Sequence, residues 1–147
     1  MGATMETMTK KRVLIVCTGN SCRSQMAEAW VRHDLGDRWE VESAGTHPAG
    51  AVAPLAVRAM AEVGVDISGV RPKHWGRFLD QRWDLVVTVC DSARESCPLF
   101  PGAAEQIHVS FPDPVLATGT EDERLAVYRT VRDDIRARLL PEIARRF

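Results

Sequence analysis

Cys17 and Arg23 stand six residues apart in the run Cys17-Thr18-Gly19-Asn20-Ser21-Cys22-Arg23-Ser24, and a thiol and a guanidinium at that spacing suit one kind of chemistry. The planar fork of Arg23 binds two oxygens of a tetrahedral oxyanion, while the same local field favours a thiolate at Cys17 that can attack the central atom. Backbone N–H groups of Thr18, Gly19, Asn20, Ser21, Cys22, Arg23 and Ser24 supply donors for the remaining oxygens. Two more thiols, Cys90 and Cys97, bracket the polar, small-residue stretch Asp91-Ser92-Ala93-Arg94-Glu95-Ser96. If that stretch moves, Cys90 can pair with Cys17 in one state and with Cys97 in another, which is a thiol–disulfide relay. The plain alternative for Cys17 is a buried cysteine in an ordinary strand-to-helix turn. A nucleotide-binding loop is excluded, because the run lacks both a terminal Gly-Lys-Ser/Thr and three spaced glycines.

The elements that must position these groups are legible around them. Val13-Leu14-Ile15-Val16 reads as a buried strand ending at Cys17, and Ser24-Gln25-Met26-Ala27-Glu28-Ala29-Trp30 opens a helix carrying Ala27, Trp30, Val31 and Leu35 at helical period and stopping at Gly36-Asp37. Trp39-Glu40-Val41-Glu42-Ser43 alternates as a second strand, and its exit loop holds His47, which could contact a ligand but whose ordinary role is that of a solvated turn residue. Pro54 begins a second helix through Leu55, Val57, Met60, Ala61 and Val63 to Gly64. The basic patch Arg71-Pro72-Lys73-His74-Trp75 could approach an acidic partner or the anion site but reads first as a solvated loop, and Phe78-Leu79 reads as a short helix before Trp83. Asp84-Leu85-Val86-Val87-Thr88-Val89-Cys90 repeats the opening design of an apolar strand ending in cysteine, and Gln106-Ile107-His108-Val109 offers a fourth strand. Phe111-Pro112-Asp113-Pro114 is a rigid turn, and the capping box of Thr120 and Glu123 opens a last helix with Leu125, Tyr128, Val131, Ile135 and Leu139 on one face. Alternating strands and helices predict an α/β fold: a single domain with a four-stranded parallel sheet and helices on both faces. In such sheets ligands bind beyond the carboxyl ends of the strands, where the strand order reverses, which brings Cys17 and Cys90 to one edge.

Composition bounds the rest. The 147 residues fit one domain, with 1–11 a polar flexible tail and 12–147 the catalytic unit. Lys and Arg total 19 against 20 Asp and Glu, so no global charge points to nucleic acid or to an anionic membrane. No apolar run reaches the length of a membrane span, the stretch Met1 to Lys11 lacks a signal-peptide core, and Glu6 stands where a myristoylation motif wants Ser or Thr. The expectation is a cytoplasmic monomer. Four cysteines (Cys17, Cys22, Cys90, Cys97) in such a chain point to redox chemistry rather than to a disulfide scaffold, and their spacing does not match a zinc site.

The string Cys-Thr-Gly-Asn-Ser-Cys-Arg-Ser-Gln-Met-Ala-Glu at 17–28 resembles the phosphate-binding loop of the low-molecular-weight tyrosine phosphatases, and more closely that of the thioredoxin-coupled arsenate reductases that share their fold. The resemblance runs from about Lys11 to the C-terminus. It implies arsenate as substrate, held in the loop with Arg23, with Cys17 as nucleophile and Asp113 as the acid that helps hydroxide leave. It implies that Cys90 then attacks Cys17 and Cys97 resolves the disulfide, with thioredoxin as the reducing partner and no bound redox cofactor. Some family members bind potassium through residues that match Asn20, Glu28, Ser43 and Asp66; the same side chains can equally hold the loop by hydrogen bonds. Cys22, inside the loop, is expected to pack rather than react. Val115 and Leu116 replace the tyrosines of the phosphatase substrate cleft, which weakens the competing reading of a phosphatase that hydrolyses phosphomonoesters through a phosphocysteine at Cys17.

Overall fold

Four consecutive apolar residues can be buried on both sides only in the interior of a sheet, and Val13, Leu14, Ile15 and Val16 have no exposed surface at all. In the computed structural model, which describes residues 9–89 and 100–147, they form the middle of strand β1 (Lys11–Cys17). β2 (Trp39–Gly45), β3 (Leu85–Thr88) and β4 (Gln106–His108) complete a four-stranded sheet in the order β2-β1-β3-β4. Every pairing is parallel. The strand order reverses between β1 and β3, where Val16 lies opposite Thr88 and Val89 N–H donates to Val16 O at 2.9 Å. That switch point is where β1 delivers Cys17. Lys11 pairs with Trp39, so the first strand begins one residue inside the stretch that the sequence reading assigns to the tail.

The two faces of the sheet are covered unequally. Val13, Ile15, Leu85 and Val87 point into the larger core, built with α1 (Arg23–Leu35), α2 (Pro54–Ala61), α3 (Glu121–Asp134) and α4 (Leu140–Ala144). Leu14, Val16 and Val86 face a smaller cluster with Phe78, Trp83 and Phe100. Among the described residues the helix on this second face is a single 3₁₀ turn, Trp75–Phe78. The sheet separates the clusters because side chains alternate across a strand.

Local chemistry fixes the ends of the elements. Thr120 accepts from Glu123 N–H while the Glu123 carboxylate accepts from Thr120 N–H, the reciprocal cap that the sequence predicts. α3 does not run straight into α4. A π turn, Ile135–Leu139, joins them immediately before Pro141, which has no N–H to give to the preceding turn. The extra residue keeps Ile135, Leu139 and Leu140 all in the core. No helix among the described residues is long and apolar enough to cross a membrane.

Candidate active site

The loop between β1 and α1 is held from outside by the segment 46–53. Thr46, His47, Ala49 and Ala53 donate their N–H groups to the carbonyls of Cys17, Thr18, Gly19 and Ser21 at 2.8–3.1 Å. A trans peptide is planar, with its C=O and N–H pointing in opposite directions. Fixing those four carbonyls outward therefore turns the N–H groups of Thr18, Gly19, Asn20 and Cys22 to the other side of the loop. Asn20 N–H shows where that side is: it donates to Cys17 Sγ at 3.2 Å. α1 starts behind the loop without a side-chain cap and without an acidic residue in its first turn, so the positive end of its dipole is not offset. The result is a concavity of N–H donors over a buried thiol, the geometry of an oxyanion site.

Arg23 closes one side. Its guanidinium is almost fully buried, donates to Phe111 O at 3.3 Å and stands 3.5 Å from Asp113 Oδ2. Asp113 is partly exposed and its Oδ1 accepts from Val115 N–H, which opens a short 3₁₀ turn, Pro114–Leu116. Asp113, distant in the chain from Cys17 and Arg23, thus shares one edge of the sheet with them. Val115 and Leu116 beside the acid are exposed. Cys22 is buried under the loop, and burial first, then the charges of Asp113 and Cys17, push its thiol well above the ordinary range against the opposing pull of Arg23. Tyr128 on α3 senses the same neighbourhood: burial, Cys22 and Asp113 push its hydroxyl up to about 12. Cys90 and Cys97 lie outside the described residues.

Asn20 is the hub of the loop. It has φ +50°, the left-handed region that asparagine tolerates better than other residues with a side chain. Its amide is fully used: Nδ2 donates to Ser24 Oγ at 2.7 Å and Ser43 Oγ at 2.9 Å, and Oδ1 accepts from Gln25 Nε2 at 3.0 Å and Lys73 N–H at 2.8 Å. Ser24 Oγ accepts from Asn20 and lies 2.9 Å from Cys17 Sγ; when Cys17 is a thiolate, which can only accept, the Ser24 hydroxyl is the donor of that bond. Ser43 donates to Glu28 Oε1 at 2.5 Å.

Two residues of this site escape a reading of the sequence. Gly45, at the end of β2, must be glycine because a Cβ there would meet Thr18 O at 2.5 Å and Asn20 N at 3.0 Å. Lys73, which the sequence places in a solvated basic loop, is instead largely covered. Its ammonium lies 2.9 Å from Glu42 Oε1 and 3.4 Å from Glu28 Oε1, and its carbonyl accepts from Gly45 N–H at 2.8 Å. The His47 side chain is exposed and its ring lies 3.1 Å from Oγ1 of its neighbour Thr46. The sole signal for Gly45 was its place at a strand end before the loop.

Potassium does not fit the four residues that the resemblance nominates. Asn20 Oδ1 is spent on Gln25 and Lys73, Ser43 turns its hydrogen toward Glu28, and an ammonium already stands at Glu28 Oε1. Asp66 is exposed and its carboxylate caps Ser68 N–H at 2.8 Å, outside this network. Asn20, Glu28 and Ser43 come together; Asp66 does not join them. No group of three or more His, Cys, Asp or Glu residues that could hold a metal ion occurs among the described residues.

Comparison with known proteins agrees with this geometry. An arsenate reductase of Halalkalibacterium halodurans is 49% identical over 132 residues, which span 90% of this chain and 94% of that one. A solved arsenate reductase in a phosphate-binding state superposes with a TM-score of 0.78 at 31% identity, covering 93% of this chain and 99% of that one. A thioredoxin-dependent arsenate reductase of Corynebacterium glutamicum gives a TM-score of 0.66 at 28% identity, covering 97% of this chain and 67% of that one. The sequence profile of the low molecular weight phosphotyrosine protein phosphatases matches residues 12–144, and the chain, with its thiol loop, buried arginine and four-stranded parallel sheet, belongs to that family.

Proposed function

We propose that this protein reduces arsenate to arsenite through a relay of three thiols, with thioredoxin as the final reductant. The loop over Cys17 supports oxyanion binding. What favours reductase over phosphatase is the pair Cys90 and Cys97 that follows β3, in a chain nearly half identical to an arsenate reductase.

Arsenate binds with its oxygens on the loop N–H groups and on Arg23, and the Cys17 thiolate attacks arsenic. A hydroxide leaves as water with a proton from Asp113, which stands beside Arg23 on the solvent side of the site. Cys90, as thiolate, attacks Cys17 Sγ. The S–As bond breaks, its electron pair passes to arsenic, arsenite departs and a Cys17–Cys90 disulfide remains. Cys97 attacks Cys90 and releases the Cys17 thiolate, and the dithiol of thioredoxin reduces the Cys90–Cys97 disulfide. Ser24 and Asn20 hold the Cys17 sulfur each time it carries charge. The same reading makes the protein a cytoplasmic monomer with no bound redox cofactor.

The test is steady-state NADPH consumption with arsenate, thioredoxin and thioredoxin reductase, run on the wild type and on Cys17→Ser, Cys90→Ser and Cys97→Ser. Arsenate-dependent turnover is expected in the wild type and should vanish in all three variants. Full turnover in Cys97→Ser refutes the relay. An inactive wild type that hydrolyses an aryl phosphate without reductant makes the protein a phosphatase.

A further inference from the structure

We propose that Lys73 is a built-in cation: its ammonium takes the place of a monovalent metal ion behind the loop and positions the Cys17 sulfur through a chain of oriented hydrogen bonds. The inference shares with the proposed function the identity of Cys17 as the reacting thiol. It does not depend on which oxyanion the loop turns over.

The chain can be followed proton by proton. Glu28 is a carboxylate with almost no exposed surface, and a buried charge is tolerated only when paired and hydrogen-bonded. Arg32, itself largely exposed, pairs with Oε2 at 2.6 Å. Oε1, the oxygen that takes the Ser43 hydrogen, faces the Lys73 ammonium, which also pairs with Glu42 on the neighbouring stretch of β2. With Glu28 held as an acceptor, Ser43 donates to it and can only accept from Asn20. That fixes the Asn20 amide with its nitrogen toward the serines, so Ser24 also accepts from Asn20, and once Cys17 is a thiolate, an acceptor only, the Ser24 hydrogen goes to Sγ. Lys73 reaches Asn20 by a second route as well, through its own N–H on Oδ1. One residue thus balances the charge at the far end of the chain and orients the amide at its centre.

The same placement excludes a metal ion. An inorganic cation bound to Glu28 Oε1 and its neighbours would sit against the ammonium, a like-charge contact with no intervening anion to spare. Asp66, the fourth nominated ligand, is engaged with Ser68 instead.

The experiment follows two properties that need no arsenate turnover. One is the rate at which iodoacetamide labels Cys17 at pH 7, read on the Cys17 peptide by mass spectrometry; the other is Tm. Both are measured in potassium chloride and in tetramethylammonium chloride at equal ionic strength. The wild type should behave alike in the two salts. Lys73→Met in tetramethylammonium should label about tenfold more slowly, the effect of one charge-assisted hydrogen bond, and potassium should restore the rate and raise Tm by entering the vacated position. Lys73→Gln serves if the methionine variant does not fold. Several-fold stimulation of the wild type by potassium overturns the proposal. A Lys73 variant that matches the wild type in both salts also overturns it, and so does one equally impaired in both, because a packing role alone is indifferent to the ion.

Discussion

Replacing Gly45 by alanine tests whether the loop geometry is set from outside. The added Cβ would lie 2.5 Å from Thr18 O and 3.0 Å from Asn20 N, both backbone atoms. Since real Cβ atoms essentially never come closer than 3.0 Å, Thr18 must back away by about half an ångström before any contact is tolerable. Neither side yields cheaply. Gly45 pairs with Cys17 in the β1–β2 register and its N–H is bonded to Lys73 O, while Thr18 O is bonded to His47 N–H. Overpacking of this kind costs about 1–3 kcal/mol, which lowers the Tm of a chain this size by roughly 3–10 °C. The effect on chemistry should be larger than the effect on stability. A displacement of that size at the residue after the nucleophile is expected to reduce kcat/KM for arsenate by about 10- to 100-fold. Thermal melting and steady-state turnover measure the two effects, with Gly50→Ala and Gly69→Ala as controls, because a Cβ at either meets nothing within 4 Å. A Gly45→Ala protein with the wild-type Tm and kcat/KM would refute the close approach as the determinant of the loop.

Two further outcomes follow from the charges around and beyond the site. Cys22 should stay unlabelled by iodoacetamide in the reduced native protein at pH 8 while Cys17 reacts, and should label in denaturant, because burial and the nearby negative charges hold it as a thiol; comparable native labelling of both cysteines refutes this. Glu62 ties α2 to α3, with its carboxylate on Arg129 at 2.6–2.8 Å and on Arg132 at 3.0 Å, and the Arg129 hydrogen bonds above all hold its carboxyl down to about 2. A folded-state value below the unfolded one adds stability above the ordinary carboxylate range and loses it as pH falls toward the folded value. The Tm deficit of Glu62→Gln should therefore be full at pH 6–7 and shrink between about pH 4.5 and 2; a deficit independent of pH contradicts the ion-pair account.

Cys17, Arg23 and Asp113 stand out in the sequence because each is marked by its own neighbours. The buried run Val13 to Val16 can only be an inner strand, the period changes at Ser24, and Asp113 sits between prolines that leave the backbone few choices. The capping box at Thr120 and Glu123 was legible for the same reason: both halves lie within one turn. What was not legible depends on residues far along the chain. Lys73 has Arg71, Pro72 and His74 around it in sequence, the composition of a solvated loop. It is covered because 71–75 runs beside the end of β2, where Glu42 and, from α1, Glu28 supply two carboxylates. Asp66 failed in the opposite sense, matching by position in a short stretch that the fold turns toward solvent. The π turn before Pro141 likewise reflects the core's demand for Ile135, Leu139 and Leu140 together, which no helical period announces.

These contacts explain how the five-residue loop between β1 and α1 can hold a fixed anion site. Its carbonyls are fixed by 46–53, its one left-handed residue by Ser24, Ser43, Gln25 and Lys73, and its close packing by the missing side chain at Gly45. None of these contacts touches the anion, yet each decides where an N–H or the sulfur points. A site that must bind a tetrahedral anion and then release it with one oxygen fewer gains from donors fixed before the substrate arrives, since no reorganisation is then required as charge shifts from oxygen to arsenic. The consequence is that substitutions in this supporting shell should lower kcat more than they raise KM, whereas substitutions at Arg23, which the proposed function assigns to the anion in both ground and transition states, should affect both.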